Sequence, residues 1–210
     1  MEKDEKDWIA SCTCYDKLVT ESEVHDALVD YNRLYTYSDY LEWDVDDKWR
    51  ELIDGVPYLM ATPLIPHQRI SSKLFLQLAI YLKGKSCEVF YSPFEVRLNT
   101  ETTDNTAVLP DIVVICDKST FSQRGCIGAP DMVVEILSPS TARYDKITKF
   151  NKYLESGVPE YWIVDPESKT IAVNILDDGK YITHAYNASD MVKVYVLEGC
   201  IIDLAEVFEE

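Results

Sequence analysis

Two short apolar runs each carry a single acid, and no other feature limits more what this chain can fold into. Pro110-Asp111-Ile112-Val113-Val114-Ile115 opens on a carboxylate, and Met132-Val133-Val134-Glu135-Ile136-Leu137 holds one inside it. Runs this short and this rich in β-branched residues are the pattern of buried central strands. A carboxylate inside such a strand is unfavourable to bury unless something positive or a hydrogen-bond donor meets it. If the two strands are neighbours, Asp111 and Glu135 lie roughly 5 Å apart across the sheet and can share one hard cation such as Mg²⁺, which prefers carboxylate oxygens. The alternative is that each carboxylate pairs with an Arg or Lys or caps a backbone amide. Asp131, in a second Pro-Asp pair, stands four residues before Glu135. On one strand that is roughly 13 Å, too far to grip the same ion, so Asp131 is expected to mark the start of the strand.

The surrounding pattern is a mixed one. Thr36 to Asp46 reads as a helix that Ser38 could cap, with Tyr37, Leu41 and Val45 on one face. Trp49 to Met60 reads as two strands joined by Asp54-Gly55, a strong hairpin signal. From His67 to Lys83, Ile70, Leu74, Leu78 and Leu82 recur at helical spacing, with Phe75, Ala79 and Tyr81 widening the apolar face. Cys87 to Leu98 alternates as one strand, and a second helix carrying Asp145, Lys149, Tyr153 and Ser156 ends at Gly157-Val158-Pro159. Further strands are expected over 160–165, 170–176, 180–186 and 192–197, with Asp177-Asp178-Gly179 as a turn. Strands interleaved with two long helices predict an α/β or α+β domain, a mixed β-sheet flanked by helices, over residues 34–210. Residues 1–33 form an acidic N-terminal arm with weak helical character from Glu21 to Arg33.

Charge and cysteines narrow the function classes. The chain of 210 residues carries a net charge of −17, which repels a polyanion at long range unless positive charge is gathered locally. It is gathered in the middle: from His67 to Lys152 eleven Lys and Arg face nine acids, a balance of +2, and the flanks together carry −19. The acidic arm is therefore expected to lie over the protein's own basic surface and compete with a polyanion there, although solvated acidic surface is the plainer reading. The six cysteines include no Cys-x-x-Cys pair and no close His partner, so they read as reduced thiols of a cytoplasmic protein rather than zinc ligands or staples. A charged amino terminus and the lack of any apolar run near 20 residues argue against a signal peptide and a membrane span. No Gly-rich phosphate loop, Gly-x-Ser-x-Gly elbow or His-Glu-x-x-His occurs, which removes the usual kinase, α/β-hydrolase and zinc-protease readings.

Glu51-Leu52-Ile53-Asp54-Gly55, Pro110-Asp111-Ile112-Val113-Val114, Val134 to Thr141 and Gly157 to Pro166 stand in the order in which the putative restriction endonuclease family of the Uma type carries them. From about Tyr37 to about Leu176 the chain resembles that family, a branch of the PD-(D/E)XK nuclease superfamily. The resemblance implies a restriction-endonuclease-like core and a Mg²⁺ site, with Mn²⁺ as a substitute, made from Asp111, Glu135 and the carbonyl of Ile136. It adds Glu51 as an acid from an earlier element. The motif lysine two residues after Glu135 is missing, because Leu137 stands there. The family's substitute is a lysine on the following helix, which here is Lys149 with Lys146 behind it. A long amine stem on a helix over the sheet can reach the attacking water, whereas an ion pair with Asp145 at i, i+4 is the structural alternative.

Two functions follow from the resemblance. The first is a Mg²⁺-dependent endonuclease acting on DNA as a homodimer and leaving a 5′-phosphate, with Glu51, Asp111, Glu135 and Lys149 as its catalytic residues. The second is a catalytically inactive binding or regulatory module that keeps the fold, which Leu137 and the net charge favour. Weaker candidates are His67 at a helix N-terminus, the Ser138-Pro139-Ser140-Thr141 hydroxyls as caps or phosphate ligands, and Tyr161-Trp162, which reads as core before it reads as a stacking platform.

Overall fold

A computed structural model describes residues 30, 32–45, 48–100, 103–138 and 145–209. The acidic arm, apart from Asp30, Asn32 and Arg33, lies outside them, and so do Pro139, Ser140 and Thr141.

The described chain begins with α1 (Tyr37–Leu41), which runs into a 3₁₀ turn (Glu42–Val45). Thr36, not Ser38, caps it: Thr36 and Asp39 form a reciprocal capping box. Tyr37, Tyr40 and Trp43 face inward, whereas Leu41, expected on the apolar face, is exposed. Starting the helix at Tyr37 sets the aromatic residues, three apart, along its inner stripe. The hairpin forms where Asp54-Gly55 predicts it, with β1 (Arg50–Ile53) and β2 (Val56–Leu59) closing at Ile53↔Val56. Asp54 and Gly55 both take positive φ, 50° and 79°, as a tight two-residue hairpin turn requires. α2 (Ile65–Leu82) buries Ile70, Leu74, Leu78 and Leu82, the four positions its spacing marks.

The run from Cys87 to Leu98 is two strands, not one. Pro93 cannot donate to a ladder, and at that point the chain leaves β3 (Glu88–Tyr91) and starts β4 (Glu95–Leu98) in a different sheet. The expected single sheet is consequently divided into two large sheets, beside a separate two-stranded one near the end of the chain. With β5 (Thr106–Val108) and β7 (Gly125–Ile127), one has the order β2-β1-β5-β4-β7. The other contains β6 (Ile112–Ile115), β8 (Met132–Ile136), β9 (Glu160–Asp165), β10 (Thr170–Asp177) and β11 (Lys180–Asn187), ordered β11-β10-β9-β8-β6-β3. Both are mixed: β4 pairs β7 and β8 pairs β9 in parallel, and the other pairings are antiparallel. The second helix is a π turn (Asp145–Lys149) continued by α3 (Phe150–Glu155), and Gly157 ends it at φ 78°. The strand expected over 192–197 shrinks to β12 (Met191–Lys193), which pairs β13 (Ile201–Asp203) before α4 (Leu204–Phe208).

The central strands divide two cores. β8 sends Met132, Val134 and Ile136 to a core shared with α2, and Val133, with Leu137 just past the strand's end, to one shared with β4 and Tyr153 of α3. Glu135 falls by alternation on the second face. Tyr161 and Trp162 are fully buried and pack as core.

The cysteines depart from the expectation of six reduced thiols. Cys87 and Cys116 are joined in a disulfide, and Cys126 and Cys200 are buried free thiols. The physical reason is pairing rather than spacing: the register Glu88↔Ile115 sets residues 87 and 116 opposite each other across β3 and β6, 29 residues apart in sequence. Cys12 and Cys14 lie outside the described residues. Among the described residues no helix is long and apolar enough to cross a membrane.

Candidate active site

β6 and β8 are antiparallel neighbours with Ile112 opposite Val134, so one step further the register sets Asp111 opposite Glu135. The condition under which the two acids meet across the sheet is fulfilled. Glu51 arrives from the other sheet, on a strand whose four residues are all buried. Its Oε1 accepts the Leu109 amide at 2.7 Å, which fixes it beside the segment leading into Asp111.

Lys149 joins these elements. Its side chain is almost wholly buried, and its Nζ stands 2.8 Å from Glu51 Oε1 and 2.9 Å from Glu135 Oε1. Lys149 closes the π turn immediately before α3, where one extra residue per turn shifts which side chain faces the sheet; such turns recur at functional sites. Four residues on, the Tyr153 hydroxyl donates to the same Glu135 oxygen at 2.7 Å. Burial, and then the Glu135 charge, push the Tyr153 phenol well above its ordinary range, so it serves as a donor there. Lys149 thus pairs with two acids from two different sheets, while the Asp145 side chain of the i, i+4 alternative lies outside the described residues. Leu137, at the motif lysine position, is buried against the core that contains Tyr153. The amine that stands beside Glu135 is that of Lys149, on the π turn before α3.

Asp111 has different partners. Its Oδ2 accepts the Ile136 amide at 2.7 Å and lies 3.1 Å from His67 Nε2. His67 enters from the first turn of α2 and is largely buried; sequence reasoning placed it at the helix start without this contact. Asp131 Oδ2 accepts the Cys116 amide at 2.7 Å, away from this group. Ser138 lines the same cleft. The side chains of Asp145 and Lys146 lie outside the described residues.

Asp111, Glu135, Glu51, Lys149 and the backbone of Ile136 sit in a cleft of about 750 Å³ that His67 also lines. Glu51, Asp111 and Glu135 bring three carboxylates against two lysines of the lining, Lys48 and Lys149. Among the described residues no three His, Cys, Asp or Glu side chains form a ready-made metal cage. A cage is not what Mg²⁺ needs: it is usually held by one or two carboxylates and keeps several waters. The donor set of Asp111, Glu135 and the Ile136 carbonyl, all hard oxygens with an excess of negative charge, fits such an ion.

A family described as Uma2, putative restriction endonuclease, matches residues 37–205. Two uncharacterized proteins of Synechocystis sp. are similar: slr1290 is 31% identical over 74% of this chain and 82% of its own length, and sll1609 is 24% identical over 63% and 76%. The fold resembles the crystal structure of a protein from Anabaena variabilis described as a putative nuclease belonging to DUF820. That likeness has a TM-score of 0.68, covering 82% of this chain and 97% of the other at 20% identity. The fold is thus the restriction-endonuclease-like one, mixed sheets flanked by helices.

Proposed function

This chain belongs to the Uma2 family of putative restriction endonucleases, and from that premise we propose that it is a metal-dependent endonuclease hydrolysing phosphodiester bonds of DNA in the Asp111–Glu135 cleft. The observation that carries the reading is Lys149, whose buried ammonium stands 2.8 Å and 2.9 Å from acids of two different sheets at the floor of that cleft. Titratable side chains from separate elements that converge in a concave site are a mark of catalysis.

Asp111, Glu135 and the Ile136 carbonyl would hold Mg²⁺, or Mn²⁺ in its place. When bound, the ion supplies Lewis-acid polarisation of the phosphate and a more acidic water. Lys149 orients the attacking water and stabilises the negative charge that develops on the phosphoryl oxygens. Glu51 and Tyr153 keep that ammonium and the Glu135 carboxylate in place. His67 holds the Asp111 carboxylate in orientation from the opposite side. Water attacks phosphorus, the bond to the 3′ oxygen breaks, that oxygen takes up a proton, and the phosphate remains on the 5′ end.

The second reading, an inactive binding module, draws on one observation: Glu51 and Glu135 are both engaged by Lys149, as a purely structural network would be. Calorimetric titration of Mg²⁺ or Mn²⁺ into the wild type and into Asp111→Ala separates the two. The nuclease reading expects binding that the substitution removes, and a wild type that binds neither ion supports the module.

A further inference from the structure

The mouth of the cleft is built unlike its floor. Trp49 and Tyr91 line it and are 56% and 62% exposed, and Leu59 and Leu64 beside them are exposed as well. Both rings sit on fixed backbone: the Trp49 carbonyl accepts the Met60 amide at the open end of the hairpin, and Tyr91 closes β3. A T-shaped contact with Phe75, centroids 5.0 Å apart, holds the Tyr91 ring in its orientation. Large aromatic rings left in water around a concave site mark a surface that something covers.

Among the described residues, apolar and neutral side chains outnumber cations along the same cleft. Among the described residues the lining has only Lys48 and Lys149 as cations, and Lys149 is engaged by Glu51 and Glu135. Duplex DNA is gripped chiefly through phosphates on both strands, and its bases are stacked away from a protein ring. An unpaired strand instead offers its base faces, and stacking on aromatic side chains binds it with little regard to sequence.

Resting on the nuclease reading above, we infer that the substrate is single-stranded DNA, whose bases stack on Trp49 and Tyr91 while the phosphate between them is presented to Asp111, Glu135 and Lys149. The net charge of −17 weighs less against a single strand than against a duplex, because a single strand releases fewer counterions per phosphate contacted.

The test uses the full chain with a labelled oligonucleotide, single-stranded or annealed to its complement. Affinity is read by anisotropy in EDTA, and cleavage is read separately in Mg²⁺. The single strand binds at least about tenfold more tightly than the duplex and is the form that is cut. Trp49→Ala weakens single-strand binding by roughly 10- to 100-fold, the effect of losing a stacked base, and Trp49→Phe retains it. Asp111→Ala retains the single-strand affinity and loses cleavage. A duplex bound and cut as well as the single strand, with Trp49→Ala indistinguishable from wild type, overturns this inference and leaves the nuclease reading standing. Single-strand binding through Trp49 with no cleavage of either form supports the ligand and overturns the nuclease. Absence of binding to both forms overturns the inference.

Discussion

Replacing Lys149 by Met keeps the length of the side chain and removes its charge, leaving Glu51 and Glu135 buried without the ammonium that stands 2.8 Å and 2.9 Å from them. Both acids are almost fully buried, so solvent cannot take over the screening. Removing one partner from a buried ionic group costs about 3–5 kcal/mol. For a protein of this size each kcal/mol lowers Tm by about 2–4 °C, so the expected fall is on the order of 6–20 °C. Adding Glu51→Gln and Glu135→Gln to Lys149→Met removes the uncompensated charge, while the new side-chain amide oxygens can still accept from the Leu109 amide and the Tyr153 hydroxyl as the two carboxylates do. That triple variant recovers most of the lost Tm without recovering DNA cleavage. Thermal unfolding followed by circular dichroism, with a cleavage assay on the same preparations, reads both quantities. A Lys149→Met protein that melts within about 2 °C of wild type, a loss of about 1 kcal/mol or less, would refute the reasoning that this ammonium holds the two sheets' acids together.

Other outcomes follow from separate parts of the molecule. Burial raises the Glu160 carboxyl above its ordinary value of 4.5, against the opposing hydrogen bonds from Val196 and Trp162. A raised folded-state value adds stability that is present below the unfolded value and lost as pH rises through the folded one. Glu160→Gln therefore gains stability relative to wild type as pH climbs above about 4.5, which urea titrations at several pH values will show as a slope of that sign. Reducing Cys87–Cys116, which closes a loop with a sequence separation of 29, lowers unfolding free energy by about 3.6 kcal/mol, measurable by urea titration with and without a thiol reductant. If the acidic arm competes with DNA for the basic middle of the chain, deleting residues 1–33 strengthens DNA binding at low salt and leaves it nearly unchanged at high salt; equal affinity at low salt contradicts that role.

Most of the architecture was legible where one local signal dominates. The Asp54-Gly55 turn, the four leucine and isoleucine positions of α2 and the β-branched runs of β6 and β8 are patterns whose periodicity has a single structural solution. The division between sheets is marked in Cys87 to Leu98 only by a shift of apolar phase, from Cys87, Val89 and Tyr91 to Phe94, Val96 and Leu98, across Pro93, which cannot donate to a ladder; reading the run as one strand passes over both signals. The three-residue strands β5, β7 and β13 are held by partners distant in sequence and carry no period of their own. At the site, Asp111 and Glu135 stand out because a lone acid in an apolar strand needs a partner, whereas His67 looks like any helix-terminal histidine. Its contact with Asp111 depends on where α2 crosses the sheet, which no local pattern reports. The disulfide was missed for the same reason, since register rather than spacing brings Cys87 to Cys116.

The most direct test of the nuclease reading is Mg²⁺-dependent cleavage of end-labelled DNA by the wild type, with Asp111→Ala and Glu135→Gln purified in parallel and shown to be folded by circular dichroism. Cleavage by the wild type that requires the ion, leaves a 5′-phosphate and disappears in both variants is the predicted result. Cleavage that persists in folded Asp111→Ala, or no cleavage by a wild type that binds the ion, would contradict it.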